Sequence, residues 1–227
     1  MVGTIVNTAC IIVGSSVGAV LKKGIKPKYQ DALYNAMGIC SLALGLNACV
    51  VNMPNSHYPI LFIVSLALGS LIGFRLSLSE RFNKLANRRS KDGRLGEGLS
   101  TGILLYCIGT LSIMGPVQSA LNGDNTFLYT NATLDLITST VLASTYGIGM
   151  IWAAPVLFCW QGMFYLIATI SSSAISDSLK TELLIVGGSL IIASGLSILK
   201  IKDCKAVNML PSLLFPVLFF LILSFFK

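Results

Sequence analysis

The segment Gly109-Thr110-Leu111-Ser112-Ile113-Met114-Gly115-Pro116 belongs to a stretch, Cys107 to Gly162, whose reading decides the fold. The stretch passes Asp135 and closes on Trp160-Gln161-Gly162. No charged residue occurs between Leu136 and Ser176, yet this run is dense in Ser, Thr, Gly and Tyr. A segment apolar enough to enter a bilayer but interrupted by Gly, Pro and hydroxyls predicts discontinuous helices around a polar site. Function is expected here.

Composition sets the frame around that stretch. Of 227 residues, 54% are hydrophobic and 11% charged, with a mean hydropathy of +0.80. Soluble domains carry about 25% charged residues, so the chain reads as an all-α, polytopic transmembrane helix bundle. At ~20 residues per span, about eight spans fit into one transmembrane domain, residues 1–227, and no soluble domain remains. The net charge of +7 comes from basic loops between apolar runs. That is the positive-inside pattern, and it makes the bilayer, not nucleic acid, the partner. The six cysteines are scattered singly with no C-x-x-C pair; they read as packing residues, not as disulfides or metal ligands.

The spans fall at about 2–21, 32–51, 59–76, 98–120, 132–149, 151–172, 183–199 and 207–226. Lys22 and Lys23 follow the first apolar run, the reverse of a cleavable signal, so it is read as a retained span. The basic loops at 22–28, 75–97 and 200–205 face the cytoplasm, which leaves both termini outside. Leu76, Leu78, Phe82 and Leu85 alternate with the basic groups of 75–97, predicting a short helix on the inner leaflet. The lone histidine, His57, lies in an external loop between prolines and receives no role. Gly14/Gly18 and Gly69/Gly73 form GxxxG motifs that permit close helix approach; a homodimer through these faces is expected. Pro116 is expected to break span 4 and free carbonyls near Leu111 and Ser112. Gly147-Ile148-Gly149 leaves almost no loop between spans 5 and 6, so two spans and a re-entrant hairpin both stay open.

An internal echo links spans 2 and 7. Asp31 precedes Gly38 and Gly45, and Glu182 precedes Gly188 and Gly195. Val51-Asn52-Met53-Pro54 likewise echoes Val207-Asn208-Met209-Leu210-Pro211. The loop charges run span 2 outward and span 7 inward, as an inverted repeat requires. Its halves would be 1–97 and 132–227, joined by a broken helix within 98–131.

Gly3-Thr4-Ile5-Val6-Asn7, Cys107 to Gly115, Leu134-Asp135, Gly147-Ile148-Gly149, Gln161-Gly162 and Asn208 to Pro211 together carry a further signal. Over essentially the whole chain the sequence resembles the YqgA-like family of bacterial membrane proteins of unknown function. The resemblance implies a multi-pass protein of the bacterial inner (plasma) membrane, of a kind described as transporters, and it implies no substrate. In this family the helix end after the third span is more acidic, whereas here it reads Gly73-Phe74-Arg75.

Asp135 is the leading site candidate. An acid at the centre of a span costs ~2.5–3.5 kcal/mol on insertion scales, and no Lys or Arg shares its span. Na⁺ or a proton is then the natural counter-charge. The other reading makes Asp135 an interfacial cap of span 5, beside Asn131 and Thr133. Asn7, Ser112, Gly115, Gln118, Ser139, Tyr146, Gln161 and Asn208 lie near glycines or helix breaks and are expected to line a path. Interhelical hydrogen bonding is the alternative role for each. No H-E-x-x-H, P-loop or G-x-S-x-G occurs, so no enzyme, metal or cofactor is expected. The reading is a transporter of a small polar or anionic solute, coupled to a cation or proton. An oligomeric channel or a structural or sensory membrane protein is the alternative.

Overall fold

The computed structural model describes residues 1–21, 26–81, 99, 102–103, 105–107, 109–171 and 176–225. Helix α1 (Val2–Val20) displays the governing physics. Its buried face is Gly3, Thr4, Asn7, Ile11, Gly14, Ser15 and Gly18. Its exposed face carries Val2, Ile5, Val13, Val17 and Val20. Small and polar groups inside with branched apolar groups outside is the arrangement a lipid solvent selects, because lipid does not drive apolar side chains inward.

The remaining elements are helical, and no strand occurs among the described residues. They are α2 (Pro27–Asn52), a 3-10 turn (Met53–Asn55), α3 (Leu61–Arg75), α4 (Thr110–Asn122), α5 (Thr126–Tyr146) and a 3-10 segment (Ile148–Trp152). After these come α6 (Ala153–Ile170), α7 (Asp177–Ile198), α8 (Ala206–Met209), a 3-10 segment (Leu210–Leu213) and α9 (Leu214–Phe225). The stretches Val2–Val20, Ile148–Ile170, Asp177–Ile198 and Ala206–Leu223 are each long and apolar enough to cross a bilayer. Helix α5 has 21 residues, ample length, but its Thr, Asn and Asp content lowers its hydropathy. The described helices are compatible with eight spans.

The chain forms two compact units, Met1–Met37 with Glu80–Ser172 and Gly38–Ser79 with Ser173–Lys227. In the first, α1 packs mainly on α5. Gly3 meets Leu128, Gly14 meets Leu136 and Ser139, and Gly18 meets Thr140 and Ala143. Numbers rise together, so the two helices run parallel. A core of Ile11, Tyr106, Cys107, Ala153, Ala154 and Leu157 ties α1 to α6 and to the residues before α4.

In the second unit α2 and α7 run antiparallel, and their glycines pack reciprocally. A Cβ on Gly45 would approach the Gly188 carbonyl oxygen to 2.7 Å, and one on Gly188 the Gly45 carbonyl oxygen to 2.9 Å. On either side of that contact Gly38 meets Leu199 and Gly195 meets Leu42. Helix α3 lays Gly69 on Ser212 and Gly73 on Asn208, also antiparallel.

Several expectations are corrected. Pro116 lies inside α4, and the break falls earlier, at Gly109, whose ψ of 140° is extended. Helix α5 starts at Thr126 and not near Ala132. Asp124 causes this: its Oδ1 accepts from Thr126 N at 2.9 Å and from Thr126 Oγ1 at 2.6 Å, which organises the first turn. Residues 126–170 form two helices that part at Gly147, whose φ of 92° and ψ of −177° suit glycine alone. Both GxxxG motifs pack within their own units, Gly14 and Gly18 on α5 and Gly69 and Gly73 on Ser212 and Asn208. The inner-leaflet helix expected in 75–97 lies largely outside the described residues.

Candidate functional site

Asp135 is the tenth residue of α5, roughly 14 Å along the helix from its start and 16 Å from its end at ~1.5 Å per residue. That depth excludes the capping role. Its side chain is 4% exposed, and Oδ2 accepts a hydrogen bond from Asn131 Nδ2 at 2.9 Å, one turn back on the same helix. Asn7 of α1 is turned toward this carboxyl. Its amide lies outside direct hydrogen-bond geometry, however, and both Nδ2 and Oδ1 lack partners among the described residues. The thiols of Cys10 and Cys107 lie within electrostatic range of the carboxyl.

The local sequence explains the arrangement. Thr4, Asn7, Ile11, Gly14, Ser15 and Gly18 recur at helical spacing and form the buried face of α1. On α5 the sequence Asn131, Asp135, Ser139 repeats every four residues and faces it. Ser139 is fully buried and donates through Oγ to the Leu136 carbonyl at 3.0 Å. Its hydroxyl is thereby satisfied locally while it rests against Gly14. The result is a polar strip between two parallel helices. Thr4 Oγ1 and Ser15 Oγ, on the buried face of α1, are also unpartnered among the described residues.

A second polar pair lies in the same unit. Gln161 Nε2 of α6 donates to Ser112 Oγ of α4 at 3.1 Å, both side chains being fully buried, and Gln161 Oε1 has no partner among the described residues. Gly115 packs against Leu128. Gln118 is drawn to the turn instead, where its Oε1 accepts from Asn122 Nδ2 at 2.8 Å. Tyr146 ends α5. Asn208 belongs to the other unit, where its Oδ1 accepts from Ser79 N at 2.7 Å and holds the turn after α3. The site residues expected from the sequence thus divide. Asn7, Asp135 and Ser139 meet in one strip, Ser112 and Gln161 pair elsewhere in the same unit, and Gln118 and Asn208 tie down turns.

Three residues were not singled out by sequence reasoning. Asn131 counted only as a neighbour of a cap; its spacing of four from Asp135 was the available signal. Asn125 Oδ1 accepts from Gly3 N at 3.3 Å and Ser119 Oγ at 2.8 Å, joining α1 to the α4–α5 turn. Glu182 falls just outside the expected span 183–199, yet it lies within α7 and is fully buried. The echo that aligned it with Asp31 was the one hint of a special position.

Among the described residues, no group of three His, Cys, Asp or Glu side chains converges as a metal site would require. All six cysteines are free. His57 is exposed. The arrangement is suited to holding a positive charge against one carboxylate with amide oxygens nearby.

Lipid-facing apolar surfaces, an inward polar strip and an acid at mid-helix define a polytopic α-helical membrane protein. Within that class, a family model described as a protein of unknown function, DUF554, matches residues 2–221, and the chain belongs to this family. It is 58% identical over 226 residues to the uncharacterized membrane protein YdfK of Bacillus subtilis (strain 168), covering 99% of this chain and 98% of the relative. It is 28% identical to the uncharacterized protein YqgA of Escherichia coli (strain K12), covering 94% of each chain. The YqgA-like resemblance read from the sequence therefore holds over the whole length. No solved structure matches the chain.

Proposed function

We propose that this protein is a transporter of the bacterial inner membrane that moves a small polar or anionic solute and couples it to a cation or proton bound at Asp135. One observation carries the reading. A carboxyl at mid-helix, 4% exposed, is bonded through one oxygen to Asn131 and faces an amide, Asn7, that has no partner among the described residues. Buried polar groups in structural roles are normally satisfied, and acids inside membranes mark ion or substrate pathways. Ser139 continues the strip, and the Ser112–Gln161 pair lies in the same unit.

The reciprocal contacts of Gly45 with Gly188, and of Gly38 and Gly195 with Leu199 and Leu42, support an inverted repeat. They are what a two-fold axis between spans 2 and 7 would produce. The proposed counterparts also share units: spans 1 and 6 fall in the first, and span 2 from Gly38 onward joins spans 3, 7 and 8 in the second.

The test is flux in proteoliposomes under imposed H⁺ or Na⁺ gradients, with a panel of amino and organic acids. Gradient-dependent uptake is expected in the wild type and lost in Asp135→Asn, with the folded state retained. Full coupled uptake by Asp135→Asn would remove Asp135 from the mechanism. Ion currents that persist without any coupled solute would favour a channel.

A further inference from the structure

Glu182, the sixth residue of α7, is completely buried in the second unit. Its Oε1 accepts from Ser56 Oγ at 2.6 Å and from Tyr58 N at 3.3 Å. Tyr58 N also reaches Ser56 Oγ at 3.2 Å, so the short segment is closed on itself as well as on the acid. Glu182 Oε2 has no partner among the described residues. The residues that cover the acid belong to the α2–α3 connection, and Met53, Asn55 and His57 there are exposed. The Tyr58 ring anchors the far side of this cover, edge-on to Phe219 at 4.9 Å and Phe220 at 5.7 Å.

Among the described residues no counter-charge completes the acid. On α7, Lys180 is paired with Asp177 at 3.0 Å. The α2–α3 connection brings His57, which is exposed, and Tyr58, whose backbone rather than hydroxyl meets the acid. From α2 comes Cys49, whose Sγ bonds the Ile185 carbonyl at 3.5 Å. Helix α9 brings no ionisable group, and α3 brings Arg75 alone, at its opposite end. A carboxylate removed from water with one oxygen bare is strongly disfavoured unless a positive charge joins it. Multivalent metals need more ligands than the described residues bring together here.

We propose that Glu182 is a second cation site, separate from Asp135, which takes one positive charge at Oε2, a proton or an alkali ion. The Ser56–Tyr58 segment is the cover that closes over it, and exchange of the ion requires those two hydrogen bonds to open. The proposal does not depend on transport coupled at Asp135.

The experiment removes Asp135 first, so that the two sites cannot be confused. Purified full-length Asp135→Asn is unfolded thermally at fixed pH in Na⁺, K⁺ or choline, and separately across pH in choline alone. One of these series raises the midpoint by about 5 °C, the size expected of a ligand well above its dissociation constant. Adding Glu182→Gln removes that shift. The alkali series identifies a metal ion and the pH series a proton. Should the double variant fail to fold, wild-type protein is treated with N,N′-dicyclohexylcarbodiimide and Glu182 labelling is followed by peptide mass spectrometry. The labelling slows several-fold with saturating alkali ion or with rising pH. An undiminished shift in the double variant, no shift in either series, or labelling indifferent to both conditions overturns the site.

Discussion

Asn7 of α1 faces Asp135 of α5 across a parallel helix pair, and the amide completes no hydrogen bond there while Asn131 holds the carboxyl from its own helix. Removing a buried amide that has no partner relieves roughly 1–2 kcal/mol of desolvation. Asn7→Leu is therefore expected to unfold at equal or higher temperature than wild type while losing coupled flux. A clear drop in its thermal midpoint would show that the amide is structural.

Gly14 lies against Ser139 and the Leu136 carbonyl, so α1 has no room for a side chain at that point. Gly14→Val is expected to cost about 1–3 kcal/mol or more by overpacking, read as a lower thermal midpoint of the purified protein. Gly162 is the control. Among the described residues a Cβ there would meet only the Met1 side chain, at 3.8 Å, and Gly162→Ala should leave the midpoint within about 0.5 kcal/mol of wild type, as a substitution without steric conflict does.

Gln161 and Ser112 form a direct interhelical hydrogen bond, 3.1 Å long, between α6 and α4. A double-mutant cycle with Ser112→Ala and Gln161→Leu should give a coupling near 0.6 kcal/mol and no more than about 1.7 kcal/mol, the range for such bonds in membranes. A coupling of zero would mean that the two groups act independently.

The α4–α5 turn should loosen in acid. At Asp124 partial burial raises the carboxyl's pKa, but the side-chain and backbone hydrogen bonds from Thr126 and the bond from Gln118 outweigh it and hold the group below the usual carboxylate range. A carboxyl depressed on folding adds stability above its unfolded pKa, near 3.9. That contribution is lost as pH falls through the lower folded value. The protection factor of Thr126 N, its exchange rate referred to the intrinsic rate at each pH, should therefore fall below about pH 4 in wild type. In Asp124→Asn the same amide should show no such acid limb, and an acid limb of equal size in the variant would refute the assignment.

Much of the architecture was legible because lipid imposes simple rules. Apolar runs of span length, basic loops and the absence of charge from Leu136 to Ser176 specified an all-helical membrane protein. The directions read from loop charges agree with the packing within each unit, α1 parallel to α5 and α2 antiparallel to α7. Helix boundaries were less legible. The start of α5 depended on an Asp124–Thr126 turn whose residues look equally at home in a loop, and Pro116 lies inside α4 while the extended residue is Gly109.

The sequence by itself determined the class of molecule, the membrane solvent and the identity of Asp135 as an acid that shares its span with no Lys or Arg. These follow from composition and local pattern, which need no knowledge of neighbours. Tertiary structure decided which groups meet. It set Asn7 opposite Asp135, placed Asn208 on a turn, filled both GxxxG faces from within the chain and buried Glu182 under Ser56 and Tyr58. The physical reason is that partnership between helices far apart in sequence depends on which faces their packing brings together, and helical spacing alone does not reveal it.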